Sequence, residues 1–338
     1  MVRVLFACPM DADRRAALAS ADPSTFEIVV LDDLRPSARD AAWASADVLV
    51  CEGFRPEIPE DLSSKAPRLR MIQVVLAGVN HVPFERIPAG VVLCSNAGAY
   101  NASVAEHAMA LLLAAAKDVP RRTEEIRRGV FDQASMSRPL RGSTLLVLGI
   151  GGIGAEVARL ARAFGMHVVG VGRGRHARGA ADEIGNLADL PKLLPRADYL
   201  LVALPLTRET EGLLDRNALA RMKDSAVLVN IARGKIVVED DLHAHLTSHP
   251  GFRAALDVWW RYPEKGEGRP FTRPFHELPN VVMTPHVAHA NPDQRGLAMA
   301  AALENVRRFL RGEPPRNVVD PRDYGPREGD PDPQPDMK

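Results

Sequence analysis

Leu145-Leu146-Val147-Leu148-Gly149-Ile150-Gly151-Gly152-Ile153-Gly154 is the stretch on which the fold turns. An apolar run enters a G-x-G-x-x-G pattern. Beyond it Ile153, Val157, Leu160, Ala161 and Phe164 share one face at helical spacing. Gly165 supplies a stop, and Val168-Val169-Gly170-Val171 reads as the next buried strand. Strand, glycine loop, helix and strand in about thirty residues is the context a dinucleotide clamp requires. Gly149 makes the tight turn, Gly151 lets backbone approach a pyrophosphate, and Gly154 lets helix pack on strand. The helix N-terminus offers N–H groups and partial positive charge to the phosphates. A βα turn without a ligand is the duller alternative.

The end of that second strand selects the dinucleotide. An NAD-binding unit places Asp or Glu there for the ribose 2′-hydroxyl. Here Gly172-Arg173-Gly174-Arg175-His176 comes next, with no acid until Asp182. A glycine makes room for a 2′-phosphate, and Arg173 and Arg175 can bind it through charge-assisted hydrogen bonds. The reading favours NADP, with NAD possible; the alternative leaves both arginines as solvated loop residues.

At 338 residues the chain is long enough for two cores. Lys+Arg and Asp+Glu balance at 43 each, which gives no global charge for nucleic acid or an anionic membrane. Cys8, Cys51 and Cys94 show no metal or redox spacing and fit reduced thiols, so no metal is expected. The start Met1-Val2-Arg3-Val4-Leu5-Phe6-Ala7 reads as a strand rather than a signal peptide, and no apolar run spans a bilayer. The expectation is a soluble cytoplasmic protein.

Strands are expected at 2–7, 26–31, 48–51, 71–75 and 91–94, with helices around 11–20, 37–45 and 59–65. That βα alternation implies a parallel sheet, flavodoxin-like in pattern. A nearly all-apolar helix at 103–117 must be deeply buried. Strands recur at 199–203, 226–230, 254–257 and 281–284. A last helix at 293–311 carries Leu297, Ala301, Leu303, Val306 and Leu310. The stretch 320–338, rich in Pro, Asp and Gly, lacks the apolar content to order itself.

Ligands of open α/β sheets lie outside the carboxyl ends of the strands. Three such ends carry Asn230-Ile231-Ala232-Arg233-Gly234, Asp257-Val258-Trp259 and Thr284-Pro285-His286. With Asn101-Ala102-Ser103-Val104-Ala105-Glu106-His107, the glycine loop and Leu204-Pro205-Leu206-Thr207-Arg208-Glu209-Thr210, this set resembles the D-isomer-specific 2-hydroxyacid dehydrogenases, from about residue 70 to 319. The resemblance implies two doubly wound parallel-sheet α/β domains. A Rossmann-type nucleotide domain (101–290) is inserted into a flavodoxin-like substrate domain (1–100 plus 291–319), with the active site in the cleft between them. It also implies a homodimer through the helix 103–117.

In such a site Arg233 holds the carboxylate and carbonyl of a small 2-keto acid such as glyoxylate or hydroxypyruvate. His286 is the general acid in reduction and base in oxidation. By the same resemblance Asp257 contacts the nicotinamide carboxamide, and backbone N–H groups of Ala77, Gly78 and Val79 bind the carboxylate. Asn101 is a substrate contact or a helix cap. Leu204, Pro205, Thr210, Ile231 and Ala232 join Gly149, Gly151, Gly152, Ile153 and Gly154 around the cofactor. Substrate side-chain size would be set around 51–55, 76–82 and 263–278.

The chain departs from the pattern at Tyr262, where the family has the glutamate that keeps the histidine charged. His286 is therefore expected to be less basic, unless Glu264 or another acid approaches. Tyr262 either hydrogen-bonds His286 or shapes the pocket. His289 stands where the family has glycine, and 263–278 reads as a solvated insertion or a lid. Formate dehydrogenases of the superfamily also lack the glutamate, so an oxidative role, a weakened enzyme and a dinucleotide-sensing protein are the alternatives.

Overall fold

The computed structural model describes residues 1–20, 25–172, 179–263 and 266–324. It separates into two compact units, Met1–Tyr100 with the chain from Asn291 onward, and Asn101–Ala290. In chain order the first unit contributes β1 (Arg3–Ala7), α1 (Ala12–Ala19), β2 (Glu27–Val30), α2 (Pro36–Ser45), β3 (Val48–Cys51), α3 (Leu62–Lys65), β4 (Met71–Val74) and β5 (Val92–Cys94). The second unit runs through α4 (Asn101–Lys117), α5 (Val119–Arg127), β6 (Thr144–Leu148), α6 (Gly152–Ala163), β7 (His167–Val171) and β8 (Glu183–Gly185). It continues with α7 (Leu190–Leu193), β9 (Tyr199–Val202), α8 (Arg216–Leu219), β10 (Val227–Asn230), α9 (Glu239–Ser248), β11 (Arg253–Leu256) and β12 (Val281–Met283). The chain then returns to the first unit with α10 (Gln294–Leu310).

The first sheet is wholly parallel in the order β2-β1-β3-β4-β5, the doubly wound order of flavodoxin-like folds. Successive side chains of a strand point to opposite faces, and both faces are apolar. Leu5, Leu49, Ile72 and Val74 pack with Trp43 and Leu62 on one side. Val4, Phe6, Val48, Val50 and Met71 pack with Leu18, Met299, Leu303 and Val306 on the other. The buried Gln73 amide accepts from Asn305 Nδ2 at 2.7 Å, which fixes the register of α10 on this face. Leu297, read as part of the packing stripe, points outward instead, because the buried face of α10 runs through Ala298, Met299, Ala302, Leu303 and Val306.

Order was expected to stop at 319. It continues to Tyr324, whose ring stacks on Phe84 with centroids 4.9 Å apart. The chain reaches that point along β5, where Ser95 N–H donates to Asn317 O and Val319 N–H to Leu93 O. The composition of 320–338 hid one aromatic anchor near its start.

The second sheet is parallel in the order β12-β11-β10-β9-β6-β7-β8, a Rossmann order with one added strand. One core cluster joins its strands to Leu219, Leu242, Leu246 and Phe275, and α4 and α6 pack against each other. β8 was not anticipated: three residues long, with Ile184 exposed, it carries no buried apolar run. The segment 263–278, read as a solvated insertion, is folded in its described part. Phe275 is 0% exposed, Trp260 stacks on it at 5.2 Å, and Phe271 lies 5.4 Å from Trp259.

Candidate active site

The clamp is built by close backbone approach. Gly149 has φ +101°, and a Cβ there would lie 2.6 Å from the Ala203 backbone and 2.8 Å from Leu204 N. A Cβ on Gly154 would collide with Gly149 O, the close approach that lets α6 start beneath the loop. Gly149 and Ile150 both donate to Val171 O, tying the loop to β7. Gly151 differs, since a Cβ there would meet nothing within 4 Å. Space is therefore open at Gly151 beside the α6 N-terminus, which no side chain caps. A Cβ on Gly152 would strike the Asn101 amide, which places Asn101 at the clamp. The residues present therefore fit a dinucleotide pyrophosphate.

Arg173, Arg175 and Glu264 lie outside the described residues. The next acid after β7, Asp182, accepts from Val168 N–H at 2.8 Å, near the amino end of β7 and away from the clamp. Thr210 braces the loop beside the clamp: its hydroxyl donates to Pro205 O at 2.6 Å and accepts from Thr207 N–H at 2.8 Å. Leu204 and Pro205 are thereby held at the carboxyl end of β9. In the first unit Ala77 and Gly78 are half-buried after β4, and Val79 is in that unit's core.

Three neighbouring strands then present the chemistry. At the end of β10, Asn230 accepts from Ala232 N–H at 3.1 Å and donates to Arg233 O at 3.0 Å. These bonds fix Ile231, Ala232 and Arg233. Gly234 must be glycine, because a Cβ would come within 2.7 Å of Trp260 N. At the end of β11, Asp257 is 0% exposed. Its Oδ1 accepts from Thr284 Oγ1 at 2.6 Å and Val287 N–H at 2.9 Å, and its Oδ2 from Ala288 N–H at 3.0 Å. In this arrangement the carboxylate is buried and both its oxygens accept from the loop after β12.

That loop carries His286 at φ +58°. A left-handed non-glycine residue costs about 1–3 kcal/mol and persists where its surroundings over-determine it. Tyr262 lies beside the imidazole with ring centroids 5.3 Å apart, and His289 approaches edge-on at 5.9 Å. Tyr262 is 51% exposed, and its hydroxyl oxygen accepts from Trp259 N–H at 3.4 Å. It touches His286 by ring contact and makes its hydrogen bond elsewhere. Burial lowers the His286 pKa below its ordinary 6.5; the charge of Arg233 and then His289 push the same way, against Asp257. Although the side chain as a whole is half exposed, desolvation around the phenol raises the Tyr262 pKa. The imidazole of His286 therefore holds its proton less tightly than a free one.

His107, quoted in the Asn101–His107 stretch but given no role, was missed. Its Nε2 lies 3.2 Å from Thr284 Oγ1 and 3.4 Å from Asp257 Oδ1. The available signal was a histidine in a helix that is otherwise mostly apolar. Ser103, from the same stretch, donates to Ala288 O at 2.8 Å.

Comparisons with known proteins identify the family. The family model for the D-isomer specific 2-hydroxyacid dehydrogenase NAD binding domain matches residues 109–288. The chain is 33% identical to glyoxylate/hydroxypyruvate reductase B of Pectobacterium carotovorum over 303 residues, covering 88% of this chain and 92% of the relative. It is 32% identical to D-3-phosphoglycerate dehydrogenase of Methanocaldococcus jannaschii, covering 94% of this chain and 59% of that longer protein. Among solved structures, the NADPH-dependent glyoxylate/hydroxypyruvate reductase of Sinorhizobium meliloti, in complex with NADP and sulfate, superposes with TM-score 0.78 at 27% identity, covering 95% of this chain and 98% of that one.

Proposed function

We propose that this chain, which belongs to the D-isomer-specific 2-hydroxyacid dehydrogenase family, reduces a small 2-keto acid such as glyoxylate or hydroxypyruvate to the D-2-hydroxy acid, preferring NADPH. The observation that carries the reading is that Arg233, Asp257 and His286 follow the adjacent strands β10, β11 and β12 at the carboxyl edge of one sheet. Bound NADPH supplies the hydride. Arg233 takes the substrate carboxylate through its planar guanidinium, which orients the carbonyl. His286 delivers the proton to the carbonyl oxygen as negative charge develops there. Gly149, Gly151, Gly152, Ile153 and Gly154 hold the pyrophosphate, with Leu204, Pro205, Ile231 and Ala232 beside them. The resemblance to the family is what proposes Ala77, Gly78 and Val79 as further carboxylate binders.

The NADPH preference is supported by the reductase from Sinorhizobium meliloti, whose structure holds NADP, and by Arg173 and Arg175 in the sequence. The proposed setting is the cytoplasm, in keeping with three unbridged, buried cysteines. No helix among the described residues is long and apolar enough to cross a membrane. The test tracks nicotinamide absorbance with NADPH and NADH against glyoxylate, hydroxypyruvate, pyruvate and phenylpyruvate. Turnover with NADPH is expected; tight dinucleotide binding without turnover of any keto acid overturns the reading. Arg173→Ala should weaken NADPH far more than NADH, and equal losses would remove the 2′-phosphate role.

One observation favours a second reading. Its lowered proton affinity leaves His286 readier to be unprotonated, the form that accepts a proton in oxidation of a hydroxy acid. Rates in both directions at neutral pH decide between the two.

A further inference from the structure

We propose that Asp257, backed by Thr284 and His107, is a positioning group that holds the turn carrying His286. The inference rests on the acid–base role of His286 given above. Three donors converge on one carboxylate, and each comes from the loop that carries the imidazole. Thr284 Oγ1 lies two residues before His286, and the Val287 and Ala288 N–H groups lie one and two residues after it. The histidine stands between a proline and two captured amides, with φ +58°. A carboxylate that accepts from the two residues after a left-handed one selects that conformation, because any other would turn those N–H groups away.

The carboxylate is itself held from behind. His107 of α4 reaches both Asp257 Oδ1 and the Thr284 hydroxyl. The loop's carbonyls are tied on the same side: Ser103 Oγ donates to Ala288 O at 2.8 Å, and Trp259 Nε1 to Thr284 O at 2.9 Å. α4, the β11 loop and the β12 loop thus share one hydrogen-bonded cluster with the carboxylate at its centre. The carboxylate is buried, and its acceptor positions are directed at this loop. Its charge also reaches His286, where it opposes Arg233, His289 and burial in setting the proton affinity of the ring. The charged and titratable groups around that ring are therefore Arg233, Asp257, His289 and the Tyr262 phenol.

The test compares Asp257→Asn, Thr284→Val and His107→Gln. It reads kcat, KM and dinucleotide Kd separately, together with the NMR titration of the His286 imidazole. Asp257→Asn should lower kcat about 100-fold with an unchanged dinucleotide Kd, because an ångström of misplacement costs that much. Thr284→Val should give a smaller loss of the same kind, about 10-fold, and shift the His286 titration. A dinucleotide Kd that weakens in step with kcat overturns the proposal and returns Asp257 to the cofactor. Thr284→Val and His107→Gln proteins with normal kcat and an unmoved His286 titration overturn it as well, and they decide the matter if Asp257→Asn does not fold. If the wild-type protein turns over no keto acid, the proposed function fails. The NMR arm still tests the positioning: a moved titration in Thr284→Val supports it and an unmoved one overturns it.

Discussion

An alanine at Gly149 would have to adopt φ +101° with its methyl 2.6 Å from the Ala203 backbone, whereas an alanine at Gly151 would meet no protein atom within 4 Å. The two glycines look alike in sequence and answer to different partners. Gly149→Ala should lose at least about 1–2 kcal/mol from the left-handed backbone alone, with more from the collision, seen as a lower Tm. Gly151→Ala should keep its Tm and lose dinucleotide affinity, measured by fluorescence titration; unchanged affinity would remove Gly151 from the clamp. The pH dependence of reduction belongs at the same scale. His286 donates only when protonated, and its pKa lies below 6.5, so kcat/KM for reduction should fall as pH rises, with a midpoint below 6.5. A wild-type midpoint above 6.5 would contradict this. Tyr262→Glu puts a carboxylate beside the ring and should move the midpoint upward. For stability the sign is the reverse: the unfolded chain binds the proton more tightly, so this contribution is complete above 6.5 and is lost as pH falls through the lowered native value. The strand-end residues were legible because parallel strands deliver their carboxyl ends to one edge. What Asp257 binds was not legible, since its partners lie 27 to 31 positions away.

The elements divide by how their apolar residues are spaced. β1, β3, β4, β6, β7, β9 and β10 were readable as short apolar runs, since a strand covered on both faces has no polar alternation. β8 was not, because an exposed edge strand of three residues leaves no such run. The segment after Tyr262 misled for the opposite reason. Its glycines, prolines and charges read as solvent-facing, while Phe271 and Phe275 find Trp259 and Trp260 only in three dimensions. Arg273 pairs with Asp240 of α9, and Glu239 accepts from Arg273 N–H, so the segment is also latched at its polar side. Phe275→Ala should therefore behave as a core truncation, costing about 3–5 kcal/mol. Chemical denaturation monitored by tryptophan fluorescence checks it, and a loss like that of an exposed residue would restore the insertion reading.

For the molecule as a whole, the helix expected to form a dimer packs one side within its own unit and leaves Ala102, Glu106 and Ala110 exposed on the other. α4 buries Val104, Ala105, Ala108, Met109, Leu111, Leu112, Ala115 and Ala116, packing on α6, β10, β11 and β12. Its apolar character on several faces was legible, and its occupant was not. Exposed apolar residues lie instead on α5 and the chain between α5 and β6: Val119, Ile126, Val130, Phe131 at 76% and Met136 at 92% exposure. A contiguous apolar patch of more than a few hundred Å² would mark an interaction surface. If a second copy covers it, Ile126→Asp with Phe131→Ser should convert a dimer to monomers in light scattering without changing the fold by circular dichroism. An unchanged dimer would return the interface to α4. The path of the chain between the two units has its own consequence for synthesis. The face of the first sheet that carries Val4, Phe6, Val48, Val50 and Met71 is covered by α10, yet residues 101–290 must be made before α10 exists. At translation rates of about 5–20 residues per second, that face waits on the order of ten to forty seconds for its cover. The second unit, continuous in sequence, can complete its own sheet during that interval, so the nascent first unit is the part of this protein that most needs a chaperone.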